Sequence, residues 1–170
     1  MEGRFPRLVA SLVLACTTLA GCSSDDTSPV EVTTVRLAVV PDAHHGGAPF
    51  TTDMTQEVRH TPSEFAGDPD GTGSALITVN IGQGEVCWLV SASDIVLPAS
   101  ASHIHKAAPG VQGPISVFLS PPDASGESSG CTSVDNKALL KEIVQSPELF
   151  YVNVHNSVYP SGAVRGQLGQ

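Results

Sequence analysis

Positive charge is scarce in this chain, with 8 Lys and Arg against 17 Asp and Glu and a formal charge of −9. Beyond the N-terminal segment the cations are Arg36, Arg59, Lys106, Lys137, Lys141 and Arg165, and they are scattered. Nothing supplies the basic stripe that neutralises phosphates, which speaks against a nucleic-acid partner. Acidity of this kind favours solubility outside the cell. Apolar runs long enough to cross a membrane are lacking too. The stretch Leu8 to Ala20 covers about 13 residues, whereas a bilayer core needs about 20. A nucleophile elbow, a phosphate-cradling glycine loop and an internal repeat are all missing. Cysteine is limited to 4 positions.

What is present starts with Arg4 and Arg7, followed by that short apolar stretch and then small residues. This predicts a secretory signal peptide over residues 1–21. No twin-arginine pair precedes the apolar run, so general secretion is expected. The last residues, Leu19-Ala20-Gly21-Cys22, resemble the bacterial lipobox. That resemblance implies lipidation of Cys22, cleavage before it, and a lipid anchor on the outer face of the cell membrane. The plainer alternative is an ordinary signal peptide with a chance cysteine. Each buried CH₂ contributes about 0.8 kcal/mol, so two or more acyl chains anchor a protein stably where one does not. Loss of Glu2, Arg4 and Arg7 with the leader moves the formal charge from −9 to −10. Residues 22–34, rich in Ser, Asp, Thr and Pro at their start, are expected to form a flexible tether with a reach of about 20 Å. Residues 35–170 remain for a single domain.

Cys16 leaves with the leader and Cys22 carries lipid, so Cys87 and Cys131 are the remaining pair. In an oxidising compartment they predict one disulfide, and closing a loop of this length stabilises a fold by roughly 4 kcal/mol. Two free thiols or a metal-binding pair are the alternatives.

The domain reads as strands separated by turns. Val32–Val40 is β-branched and stops at Pro41, and a Gly/Pro/His-containing loop runs on through Phe50. Ala75–Ile81 and Val86–Val90 flank Gly82-Gln83-Gly84 as a hairpin. Further strands are His103–His105, Ile115–Leu119, Tyr151–His155 and Ala163–Leu168, and Ser125–Gly130 reads as a loop. Asp135 is expected to cap one short helix through about Val144, with another turn at Ser146-Pro147. The expected fold class is all-β, a sandwich or barrel with one short helix.

His103-Ile104-His105, Tyr151-Val152-Asn153-Val154-His155 and Tyr159-Pro160-Ser161-Gly162-Ala163-Val164-Arg165-Gly166-Gln167-Leu168 resemble the signature segments of the CHRD domain, named after chordin. Gln56-Glu57-Val58 and Gly67–Gly73 resemble its N-terminal portion, and Asn156-Ser157-Val158 departs from it where a Thr is common after the His. The resemblance implies an immunoglobulin-like, Greek-key β-barrel or sandwich over residues 35–170 and no settled activity. A fainter resemblance is to copper/zinc superoxide dismutases, through His103, His105, Gly130-Cys131-Thr132-Ser133, His155 and Arg165 in the same order. The zinc loop of those enzymes has no counterpart here, and Cys87 replaces their C-terminal cysteine as the partner.

Strand parity puts His103 and His105 on one face. It likewise sends Asn153, His155, Arg165 and Gln167 to the face opposite Val152, Val154, Val164 and Leu168. Three neutral imidazoles at His103, His105 and His155 suit copper or zinc, with Asn153 and Arg165 as polar neighbours. The alternative is a purely structural network of His, Asn and Arg under a covering loop. His44-His45 reads as a solvated loop pair, and Asp68, Asp70 and Thr72 as a turn rather than a calcium loop. The functional expectation is a non-catalytic module that binds a protein or extracellular ligand, with a metal site. The other reading is a copper-dependent, dismutase-like enzyme in which Arg165 steers superoxide.

Overall fold

The computed structural model describes residues 47–60 and 62–169. The expected leader, the Cys22 lipobox, the tether, the Val32–Val40 strand and His44-His45 lie outside the described residues. Among the described residues ten strands form: β1 (Ala48–Gln56), β2 (Val58–Arg59), β3 (Phe65–Ala66), β4 (Thr72–Asn80), β5 (Glu85–Ser93), β6 (Ala101–Lys106), β7 (Ile115–Leu119), β8 (Glu127–Ser133), β9 (Phe150–His155) and β10 (Val164–Gln167). One helix, α1 (Lys137–Gln145), precedes a 3₁₀ turn at Pro147–Leu149. Among the described residues no helix is long and apolar enough to cross a membrane.

Eight strands make one antiparallel sheet in the order β7-β6-β9-β10-β1-β4-β5-β8, while β2 and β3 pair separately. The end strands β7 and β8 touch across the seam, so the sheet nearly closes on itself. Around the nearly closed sheet β6, β7 and β8 are successive neighbours, and β8 returns to pair with β5 on its other side, a Greek-key path. The all-β expectation therefore holds.

Alternation decides which side chains fill the interior. Ala75, Ile77 and Val79 of β4, Val86, Trp88 and Val90 of β5, Ile104 of β6, and Val152 and Val154 of β9 meet there with Met54 and Val164. Leu140 and Ile143 of α1, both fully buried, join the same core. Each such side chain stabilises the fold by about 1.5–3 kcal/mol relative to exposure. The helix cap is Asn136, not Asp135: the Asn136 side chain accepts from the Leu139 amide at 3.1 Å. Lys137, not Asn136, is the first helical residue, so the capping position falls one residue later than expected.

Four strands escaped the sequence reading, the two-residue β2 and β3 and, in the main sheet, β1 and β8. In β1 the buried positions are Thr52 and Met54 within a Thr-rich stretch that also holds Asp53, which carries little β-branched apolar signal. In β8 the Ser125–Gly130 region expected as a loop is largely strand. Gly130 is there because Trp88, its cross-strand partner, lies over it: a Cβ at Gly130 would sit 2.7 Å from the indole ring. The Trp88 indole donates to Ser128 Oγ at 3.0 Å, which passes the bond on to the Ser120 carbonyl. The same pair of strands carries the Cys87–Cys131 disulfide, joining directly opposed residues with Cα atoms 4.0 Å apart.

Candidate metal centre

Strand register assembles the polar residues. His103 of β6 faces Asn153 of β9, and Asn153 faces Arg165 of β10, which in turn faces Thr55 of β1. One row thus runs across four strands on the outer face of the sheet. His105 lies opposite Tyr151, and His155 follows Asn153 by two residues on the same face. The pairing of β6 with β7 shifts register between Ile104 and His105, with Ser116 as the extra residue in β7, while His105 keeps its register with β9.

Outward does not mean exposed here. Asn153 is 1 %, Gln167 6 %, and His105 and Arg165 8 % accessible. Residues 107–113 lie over this face and are strapped down by it. Arg165 donates to the carbonyls of Ala108 and Val111, each at 2.9 Å, and Gln167 donates to that of Ala107 at 2.8 Å. The covering loop that parity could not reveal makes this side of the sheet a second, polar core.

The loops fix the imidazoles. His105 Nδ1 lies 2.9 Å from the Gly113 carbonyl, and His155 Nδ1 lies 3.0 Å from that of Pro160. A carbonyl only accepts, so each Nδ1 carries the hydrogen and each Nε2 keeps its lone pair. The Pro160 carbonyl is placed by Asn156, whose side-chain oxygen accepts from the amides of Val158 and Tyr159 in a tight turn. Asn156 thereby serves where the sequence departs from the family pattern. His103 Nδ1 stands 3.3 Å from His155 Nε2. One ligand atom from each of His103, His105 and His155 lies within 4.8 Å of the others. A tetrahedral ion with Zn–N bonds near 2.0–2.1 Å separates its ligands by roughly 3.3 Å, a spacing the closest pair already has.

Electrostatics keeps these rings neutral. Burial, then the neighbouring His155 and His105, pushes His103 down to about 4. Burial likewise lowers His105, against the pull of the Gly113 and Asn153 contacts, and lowers His155 against the Pro160 contact. His105 Nε2 is buried with no hydrogen-bond partner.

Three residues that sequence reasoning did not place in the site shape it. The Tyr151 ring stacks on His105 at 4.9 Å, and the Arg165 guanidinium lies 3.3 Å from the Tyr151 ring centre. Since β9 lies between β6 and β10, these two flank opposite faces of the ring. Phe118, 67 % exposed, meets His103 edge-on at 5.2 Å. Glu57, 1 % exposed, accepts from Asn153 Nδ2 at 3.1 Å and pairs with Arg59 at 3.2 Å. Parity alone flags Tyr151, two residues before Asn153; Glu57 lies at the break between β1 and β2, where no periodicity points to it. Arg165 does not face the imidazoles as an anion guide would, because Tyr151 intervenes and loop carbonyls hold its guanidinium. His60 stays outside the site, exposed and paired with Glu64 at 3.1 Å. Asp68 and Asp70 form the expected turn, with the Asp70 amide on Asp68 Oδ1 at 3.4 Å.

Compared with known proteins, the chain matches the family model of the CHRD domain over residues 50–168. No curated protein and no solved structure matches it.

Proposed function

The chain belongs to the CHRD-domain family, and on that premise we propose that it is an exported, lipid-anchored, non-catalytic binding module whose His103, His105 and His155 hold a copper or zinc ion. One observation carries the metal reading: two imidazoles have their outer N–H groups tied to backbone carbonyls while their inner nitrogens, that of His155 against His103 Nδ1, converge with a third ring. Fixing the far nitrogen is how proteins orient and strengthen a metal-binding imidazole. Copper(II) binds most tightly by the general order of divalent ions, and zinc suits the same ligands.

The purified chain should take up Cu²⁺ or Zn²⁺ at neutral pH in a ratio near one ion per chain. His105→Ala should reduce uptake severely, whereas His44→Ala should leave it unchanged. Unperturbed imidazoles would lose metal to protons near 6.5, but lowering these rings moves that competition downward, with His103 at about 4. Metal should therefore persist through pH 6 and leave as pH approaches 4. Uptake no greater than in a variant lacking all three histidines would reject the site.

The anchor rests on the Leu19-Ala20-Gly21-Cys22 segment, and an extracytoplasmic address agrees with the disulfide. Cys22→Ala should accumulate as an uncleaved precursor without lipid label; unchanged labelling would sink the lipobox reading. The protein or extracellular ligand such a module meets would approach the exposed side of the site, beside Phe118.

A further inference from the structure

We propose that the side-chain oxygen of Asn153 is the fourth ligand of this site, and that Glu57 is the positioning residue that points it there. The inference rests on the metal reading above and deepens it. Asn153 is 1 % accessible, yet its Oδ1 is buried without a hydrogen-bond partner. Burying such a group unsatisfied costs about 1–3 kcal/mol, which asks for a missing partner. While Glu57 is ionised, the amide cannot be turned round to find one. Its Nδ2 donates to Glu57 Oε2 at 3.1 Å, and a reversed amide would set one acceptor against another. Glu57 is itself fixed by Arg59, at 3.2 Å, and by close packing on the backbone of Gly162.

With the amide oriented, Oδ1 points away from Glu57, and the register shows what surrounds it. His103 is its cross-strand partner, His155 is two residues along β9, and His105 lies diagonally across on β6. Asn153 is thus central to the three rings, and its amide lies against His105. His105 Nε2 is the other buried atom on this face without a partner. With His105 neutral and its Nδ1 hydrogen on Gly113, both orphans are acceptors and neither satisfies the other. A cation between them satisfies both at once, and a water donating to each is its competitor. Three imidazole nitrogens and one amide oxygen make an N₃O set. Such a set suits a divalent ion such as Zn²⁺ or Cu²⁺ better than Cu⁺, which prefers sulfur ligands.

Co²⁺, with visible bands that report coordination geometry, is the probe, titrated into the purified full chain. The wild type should give intense bands of a four-coordinate N₃O site. Asn153→Ala should bind Co²⁺ at least tenfold more weakly, with altered bands. Asn153→Asp alone would set a carboxylate oxygen against Glu57, so it is made together with Glu57→Gln, whose amide donates to it. This double variant keeps an oxygen in place, should retain the wild-type bands and should hold Co²⁺ at least as tightly. Glu57→Gln should weaken binding without removing a ligand, leaving the bands in place. If the wild type binds but Asn153→Ala matches it in affinity and spectrum, Asn153 is no ligand and the three-histidine reading stands alone. If Asn153→Ala does not fold, weaker binding by the Asn153→Asp, Glu57→Gln double variant overturns the inference. If the wild type binds no Co²⁺, Zn²⁺ or Cu²⁺, the metal reading itself fails, and this inference with it.

Discussion

Replacing Glu57 with alanine should cost the domain about 3–5 kcal/mol, the range for removing one partner from a buried ion pair. The carboxylate is nearly inaccessible and satisfies two groups that have little alternative. Arg59, 6 % exposed, would be left as a buried charge, and Asn153 Nδ2 would lose its acceptor. Arg59 keeps only a 3.3 Å contact with the Ser161 carbonyl and its position over the Phe65 ring, 4.3 Å away. Urea unfolding of the metal-free chain measures the effect, and a loss under about 1 kcal/mol would mean that water readily replaces the carboxylate. The sign of its pH dependence also follows. Burial raises the Glu57 pKa, outweighing the pull of Asn153, Arg59 and Arg165. The folded state thus binds this proton more readily than the unfolded chain does. Ionising Glu57 works against folding as pH rises past the ordinary carboxylate range, opposite to a surface acid in a salt bridge.

Removing the disulfide should have an effect of similar size. With Cys87 and Cys131 separated by 44 positions, the chain-entropy relation gives about 4 kcal/mol for the closed loop. The double change to serine should lower the melting temperature by roughly 10 °C, given the usual response of domains this size. The bridge ties β8 to β5, and β8 ends the hydrogen-bonded order of the sheet. Its loss should therefore be felt first as fraying of Glu127–Ser133, seen as faster amide exchange there than in β9 or β10. An unchanged melting temperature would mean that the unfolded chain keeps β5 and β8 together without the bond.

Strands with apolar alternation were legible in the sequence: Ile77 and Val79, Val86 and Val90, and Val152 and Val154 carry the period of two that the core requires. Strands whose inward residues are Thr52 or Ser128 were not, because their burial is decided by neighbours rather than by their own hydrophobicity. The face shared by His103, His105, Asn153, His155 and Arg165 followed from parity. Their adjacency did not, since it depends on β6, β9, β10 and β1 lying side by side across long stretches of chain. Nor could parity announce that residues 107–113 cover this face, or that Arg165 would be spent on their carbonyls rather than on an anion. The one-residue displacement of the helix cap from Asp135 to Asn136 is a smaller case of the same limit: both side chains can cap, and the local backbone chooses.

The strand order has a consequence for how the molecule comes into being. Val164–Gln167, which follow every other described strand in the chain, lie mid-sheet between β9 and β1. Delivered from its N-terminus, the chain assembles β1, β4, β5 and β8 on one side and β6, β7 and β9 on the other, with no strand yet joining β9 to β1. Both flanks keep an open strand edge until the final segment arrives, the condition under which half-made sheets find one another instead of themselves. Thr55 must then wait for Arg165, on the order of 110 residues downstream, so closure comes late and through non-local pairing of the slow kind. The imidazole site shares that timing: Asn153 and the histidines are in hand beforehand, but the strand that straps the loop over them is the last to be made.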